Sequence, residues 1–420
     1  MQSWCFIVAI IAGGGPLFSD VLRCGEYSSV QRWCVLTRCD LMQLEPGPAN
    51  KMKHLSLLLS LILLATIGRL VAGPATPVRL AIVGLDHGHV DGCLAEMLAR
   101  SDVQLVGVVE PKPALAVRYA ERFRIPAPLR FSNLEEMLKT AKPEGVMVFT
   151  STFAHAQVVE TCAPYGVHVM MEKPLAVSMA HARAMQKAAR HYSIHVLVNY
   201  ETTWYPSHAL AYALVRQQGA VGELRKIVVR DGHQGPREIG CPDSFLSWLT
   251  DPVLNGGGAL MDFGCYGADL ITWLMQGQRP SRVTAVTQQL KPEVYPQVDD
   301  EATIILSYPR AQGIIQASWN WPIGRKDMDI YGVGGAIEVA DRDTLRIKKT
   351  DGKARDLVPA QLDPKFREPI AYFAAVIRGE ISEHPLSSLE TNLIVTEILD
   401  AARQSARSYQ SVQLPEKPAE

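Results

Sequence analysis

The chain has 420 residues, enough for two or three folding units, and its 47% hydrophobic and 20% charged residues are the balance of a globular protein with a full core. Its formal charge of −1 and the lack of a long basic run exclude wholesale binding to nucleic acid or to an anionic membrane surface.

The first 75 residues read differently from the rest. Residues 1–50 hold Cys5, Cys24, Cys34 and Cys39 and show no clear helix or strand period. Met52-Lys53-His54, an apolar run over 55–67 and the small residues Ala72, Gly73 and Ala75 then predict a secretory signal peptide over 52–75. Arg69 interrupts the run before it makes a comfortable transmembrane span, and no twin arginine precedes it, so general export is expected. Met52 is the expected start and residues 1–51 a gene-start artefact; the alternative is a genuine disordered leader with the apolar run as an uncleaved anchor. The product is expected to be periplasmic or secreted if the signal is used, and cytoplasmic otherwise. Cys93, Cys162, Cys241 and Cys265 show neither metal-ligand spacing nor a disulfide framework.

From Val78 the pattern becomes regular. A short apolar run over 78–83, as in a buried parallel strand, ends at Gly84, and a helix follows over 90–99. A strand over 103–109 ends in Glu110, with helices expected at 113–123 and 134–140. A strand at 145–149, a helix at 155–165, a strand at 167–171, a helix at 178–191 capped by Ser178 and a strand at 194–198 complete the set. This alternation predicts an α/β unit over 76–198, a Rossmann doubly wound parallel sheet. Beyond Tyr200 a helix at 207–218 gives way to strand-like runs at 224–229, 283–288, 302–308, 313–320, 328–331 and 336–339, and a last helix spans about 388–406. Residues 199–415 are therefore expected to form an α+β domain with a large, mostly antiparallel open sheet. An uncovered sheet face there predicts a homo-oligomer.

Three places carry chemistry. In Gly84-Leu-Asp86-His87-Gly88-His89 the first glycine of a dinucleotide fingerprint is present, but Asp86 and His89 replace the second and third. The order of strand, glycine turn and helix supports a cofactor turn, and Glu110, 26 residues after Gly84, suits a ribose 2′-hydroxyl and so favours NAD over NADP. The alternatives for Asp86, His87 and His89 are helix capping in solvent or a metal site; no metal is expected. Glu172-Lys173-Pro174 ends a strand, where an ammonium can polarise a reacting oxygen; a surface lysine is the bland reading. Asp262 and Tyr266 lie four apart at the opening of a helix, and a phenol beside an ammonium, its pKa lowered by that charge, is a proton donor and acceptor. Taken singly, each of these two could equally be a helix-end charge and a packed aromatic.

The succession of Glu172-Lys173-Pro174 and Gly256-Gly-Gly-Ala-Leu-Met-Asp262-Phe-Gly-Cys-Tyr266 resembles the Gfo/Idh/MocA family of oxidoreductases. Thr150-Ser-Thr152-Phe-Ala-His155 is similar to the family's Thr-Pro-Asn-x-x-His turn with two substitutions; Val221-Gly-Glu223, Ser318-Trp319 and residues 399–406 also fit. The likeness covers about residues 78–415. It implies a nucleotide-binding domain with a closing C-terminal sheet, with Gly84–His89, Glu110, Thr150, Thr152, His155, Glu172, Lys173 and Pro174 against the cofactor. It further implies Lys173 as catalytic lysine, with Asp262 and Tyr266 holding substrate and moving the proton. Tyr266, where many relatives carry His, resembles the glucose–fructose oxidoreductase branch, which is exported and keeps its cofactor bound. The loop 199–206 lacks an arginine that many relatives carry, leaving Glu201, Trp204 and Tyr205 as substrate-binding candidates. The expectation is hydride transfer to or from a secondary alcohol or carbonyl of a sugar or cyclitol, with NAD or NADP tightly held. A glycosidase using bound NAD transiently and a non-catalytic binding protein of the same fold are the alternatives.

Overall fold

A computed structural model describes residues 76–415, so the leader and signal expectations for 1–75 lie outside the described residues. No helix among the described residues is long and apolar enough to cross a membrane.

Six parallel strands, β1 (Val78–Val83), β2 (Val103–Val109), β3 (Arg130–Phe131), β4 (Gly145–Val148), β5 (His168–Glu172) and β6 (Val196–Asn199), lie in the order β3-β2-β1-β4-β5-β6. Helices α1 (Val90–Ala99), α2 (Pro113–Arg122), α3 (Leu134–Ala141), α4 (His155–Cys162) and α5 (Met179–Tyr192) connect them. β1 and β4 are apolar on both faces because helices cover both sides, the reason their sequences do not alternate. The order reverses between β1 and β4, and ligands bind at such a switch point, beyond the carboxyl ends of the strands. Gly84, Glu110, Thr150 and Lys173 all follow strand ends there.

The second half adds α6 (Pro206–Tyr212), β7 (Leu224–Gly232), α7 (Asp243–Leu249), α8 (Ala259–Asp262) and α9 (Gly264–Leu274). Strands β8 (Arg282–Gln288), β9 (Glu301–Ser307), β10 (Gln312–Ser318), β11 (Arg325–Gly332), β12 (Gly335–Val339), β13 (Leu345–Lys349) and β14 (Ala354–Leu357) follow. α10 (Pro369–Ile377), α11 (Leu389–Ser408) and β15 (Val412–Gln413) end the chain's described part. The nine strands run in the order β14-β13-β12-β11-β7-β10-β9-β8-β15, and every pairing is antiparallel except β7 with β10. α9 packs on the inner face of β7 and β10, with Gly267 so close to Ile315 that a Cβ would stand 2.5 Å from its Cγ2.

Two local expectations are corrected, and three strands lie outside the expected set. The helix expected at 207–218 is α-helical only to Tyr212, after which Ala213–Gln217 widens into a π turn. Asp262 and Tyr266 do not share one helix, because Phe263 breaks the path between α8 and α9. β3 is two residues long and β14 is a charged edge strand, neither with a hydrophobic period to read, while β13 beside it alternates only Leu345 and Ile347 with charged residues.

Candidate active site

The turn after β1 is shaped by Gly84, whose φ is +84° and whose hypothetical Cβ would meet Thr150 Cγ2 at 2.6 Å and the Phe149 carbonyl carbon at 3.0 Å. Only glycine fits, and the chain passes from there to the start of α1, where helix amides and dipole favour an anion. Glu110, from the end of β2, accepts from the Leu85 and Lys112 amides, both at 2.8 Å. Burial raises its carboxyl pKa more than these donors lower it. A cavity of about 480 Å³ lies over this turn, lined by Gly84, Asp86, Glu110, Lys112, Asn133 and Thr150. A glycine that nothing larger replaces, a helix N-terminus and an acid at the ribose position fit a nicotinamide dinucleotide. Asp86, at the fingerprint's third position, is held by Lys112 at 2.8 Å.

The histidines of the turn neither cap α1 nor all face solvent. His87 is 2% exposed, and its Nδ1 accepts from the His89 amide at 3.2 Å. His89 stands at the N-cap without a side-chain capping bond and turns its Nδ1 to Glu172 Oε2 at 3.1 Å. Glu172, the buried last residue of β5, also accepts from Asn199 Nδ2 at 2.9 Å. Burial opposes its charge, but the two imidazoles and the amide outweigh burial and bring its pKa down to about 2. The ligand atoms of His87, His89 and Glu172 lie within 4.8 Å of one another, a spacing a divalent cation could span. The bond from the His89 amide, however, places the His87 proton on Nε2, the nitrogen facing Glu172 at 4.0 Å, so the lone pair a metal needs points elsewhere.

One residue beyond the end of β5, the Lys173 ammonium is paired with Asp262 Oδ1 and donates to the Asp262 carbonyl at 3.1 Å. Trp319 Nε1 donates to the other carboxylate oxygen at 2.9 Å. Burial pulls the lysine pKa down, and the Asp262 charge more than restores it; Asp262 is held below the usual range by Lys173 and Trp319 against burial. The pair is therefore ionised. The Tyr266 ring centre is 5.2 Å from this ammonium and 4.8 Å from that of Lys326. Two cations do not lower the phenol's pKa as the sequence suggested: burial drives it well above its usual value, and Glu201 adds to the rise.

Glu201 pairs with Lys326 and accepts from Tyr205 Oη at 2.6 Å. Tyr205 and Lys326 line a cavity of about 940 Å³ with His233 and Phe263. Trp204 instead supports the Glu172 side, donating to Asn199 Oδ1 at 3.0 Å. Of the Thr150–His155 turn, Thr150 lines the cofactor cavity, whereas Thr152 donates to Asn255 at 3.0 Å and His155 Nδ1 meets the Leu175 carbonyl at 3.1 Å. These two brace the walls, His155 holding the chain just after the buried Pro174. Sequence reasoning missed Asn199, Lys326 and Asp231. Only Asp231 left a signal, an acid where strand alternation asks for an apolar residue after Ile227 and Val229.

Residues 78–200 match the family described as "Oxidoreductase family, NAD-binding Rossmann fold", and residues 210–338 match the "GFO/IDH/MocA C-terminal domain". The chain is 27% identical to the trans-1,2-dihydrobenzene-1,2-diol dehydrogenase of Bos taurus over 325 residues, 74% of this chain and 91% of that protein. Among solved structures, an inositol dehydrogenase homologue from Azotobacter vinelandii complexed with NAD+ superposes with a TM-score of 0.71 at 19% identity, over 81% of this chain and 98% of that one. The aldose–aldose oxidoreductase of Caulobacter crescentus, complexed with glycerol, gives 0.68 at 22% identity over 80% and 100%. With both halves matched and the switch-point geometry in place, the chain belongs to the Gfo/Idh/MocA family of oxidoreductases, and its first sheet is that family's NAD-binding domain.

Proposed function

We propose that the chain oxidises a ring-borne secondary alcohol, or reduces the matching carbonyl, on a sugar, cyclitol or cyclic diol. The observation that carries this reading is the buried Lys173–Asp262 ion pair with the Tyr266 ring 5.2 Å from the ammonium, at the carboxyl edge of the NAD-binding sheet. The similar proteins, named for a cyclic diol, an inositol and an aldose, support the substrate class.

Gly84, the start of α1 and Glu110 hold the dinucleotide in this reading. NAD is favoured over NADP because Glu110 would repel a 2′-phosphate and Lys112 is already neutralised by Asp86. When bound, the nicotinamide supplies or accepts the hydride. The chain's residues handle the oxygen and its proton. Lys173 donates a hydrogen bond to the substrate oxygen and stabilises the negative charge that develops there. Asp262 keeps that ammonium charged and aimed. Tyr266 gives its proton to the oxygen in reduction and takes it back in oxidation. Since burial keeps the phenol protonated, reduction is the direction in which the site begins with its proton in place. Residues 52–75 are proposed as an export signal, which a retained cofactor suits; N-terminal sequencing of the exported protein reads the cleavage.

The test is to denature the purified chain and assay the supernatant for NAD(H) and NADP(H), then to follow turnover with a panel of inositols, aldoses and cyclic diols. About one NAD per chain is expected, and Lys173→Ala should lower kcat roughly 10²–10⁴-fold. A chain that neither holds nor binds nucleotide, or turnover indifferent to Lys173→Ala, rejects the proposal.

A further inference from the structure

The inner face of β7 presents Ile227, Val229 and then Asp231 to the helices beneath, so a carboxyl stands where packing calls for an apolar side chain. Asp231 is 1% exposed, and neither of its oxygens has a hydrogen-bond partner among the described residues. A buried polar group left in that state costs about 1–3 kcal/mol unless a water or a ligand satisfies it.

Position says what that something meets. Across the β7–β11 pairing Asp231 stands directly opposite Lys326, which lines the large cavity and whose ammonium lies 4.8 Å from the centre of the Tyr266 ring. Lys326 is itself committed to Glu201, so the nearest cation does not neutralise Asp231 by direct pairing. Burial, the largest influence, raises the carboxyl pKa well above its usual value, with Lys326 and Lys173 opposing and Glu201 and Asp327 adding to the rise. That direction favours the protonated acid, which has one O–H donor and free acceptor lone pairs. Such a group matches an alcohol, which also gives and takes one hydrogen bond.

We propose that Asp231 is a specificity-determining residue that hydrogen-bonds a second, non-reacting hydroxyl on the ring whose first hydroxyl meets Lys173 and Tyr266. This rests on the dehydrogenase reading above and deepens it: Asp231 is the group that reads the second hydroxyl, so a lone alcohol is a poor substrate. A site built around a hydroxyl discriminates against an analogue lacking it, because its own buried polar group is then left unpaired.

The experiment compares cyclohexanol with trans-cyclohexane-1,2-diol in the full-length, NAD-loaded chain, as wild type and as Asp231→Leu. The expected result is a wild-type preference for the diol of at least about tenfold in kcat/KM, equivalent to about 1.4 kcal/mol, which Asp231→Leu collapses by lowering diol turnover far more than cyclohexanol turnover. Binding is read separately as the diol-induced rise in thermal midpoint, expected in the wild type and lost in the variant. The unliganded variant should melt no lower than wild type, since leucine relieves an unpaired buried carboxyl. Equal use of the two alcohols by the wild type overturns the Asp231 role while leaving the dehydrogenase reading intact. An equal fall for both alcohols in the variant, or a lower melting point without ligand, shows a structural role and overturns it too. Failure of the wild type both to oxidise and to bind the diol overturns the second-hydroxyl contact, and absence of turnover with every alcohol and aldose of the wider panel is what sinks the dehydrogenase reading itself.

Discussion

Without its carboxylate, Asp262 would leave the Lys173 ammonium buried with a single backbone carbonyl for a partner. Breaking a buried ion pair from one side costs about 3–5 kcal/mol, because the remaining charge cannot return to water. Asp262→Ala should therefore lower the unfolding free energy by that order in a denaturant titration and reduce turnover about 10²-fold or more. An unaffected melting curve would mean that Lys173 finds another counter-charge. At this scale the sequence was legible where chemistry is local. Lys173, Asp262 and Tyr266 stand in motifs, and the structure gathers all three around one ammonium. Lys326 was not legible, because its place beside Tyr266 comes from the register of β11 on β7, which no local pattern announces. The phenol's pKa was misjudged for a related reason. A neighbouring charge can be inferred from a motif, but the depth of burial that outweighs it belongs to the packed molecule.

Among the elements, the turn between β1 and α1 separates two glycines that look alike in the sequence. Gly84 has a left-handed backbone and a Cβ position 2.6 Å from Thr150, whereas a Cβ at Gly88 would meet nothing within 4 Å. Gly84→Ala should destabilise the protein by about 1–3 kcal/mol and abolish NAD retention, while Gly88→Ala should melt within about 0.5 kcal/mol of wild type. Equal effects at the two positions, read by thermal melting and nucleotide assay, would mean that the turn's shape does not govern the cofactor site. The altered fingerprint thus keeps the glycine that geometry demands. Five of the six parallel strands were readable to within one or two residues, because covering both faces writes a continuous apolar run; β3 was too short to show one. The break at Phe263 was not, since residues 259–274 are apolar enough to pass for one unbroken helix.

For the molecule as a whole, several imidazoles are locked in neutral form. Burial lowers the pKa of His155, His168, His208 and His384 to about 4 from an ordinary 6.5. Between those values the unfolded chain binds protons that the folded chain refuses, so stability falls as pH falls through that window. Below about 4.5 the Glu172 carboxylate, with its folded pKa near 2, adds to the loss. The thermal midpoint should drop markedly between pH 7 and pH 5 in calorimetry; a flat profile there would show that these histidines reach water. The two-sheet architecture was legible in outline, from the change of texture after Tyr200, but the strand order of the second sheet was not. Its single parallel pairing, β7 beside β10, has a consequence of another kind. Parallel neighbours cannot be joined by a tight turn, so the chain must leave β7, travel through some eighty residues and return before the pair can close. Asp262 and Tyr266 lie on that excursion, while Asp231 and Trp319 lie at or just beyond the carboxyl ends of the two strands it joins. Such a non-local closure is slow to find during folding. Catalytic competence is therefore among the last properties a refolding chain acquires, and a chain that has its helices but not this closure carries every residue of the site without the site itself.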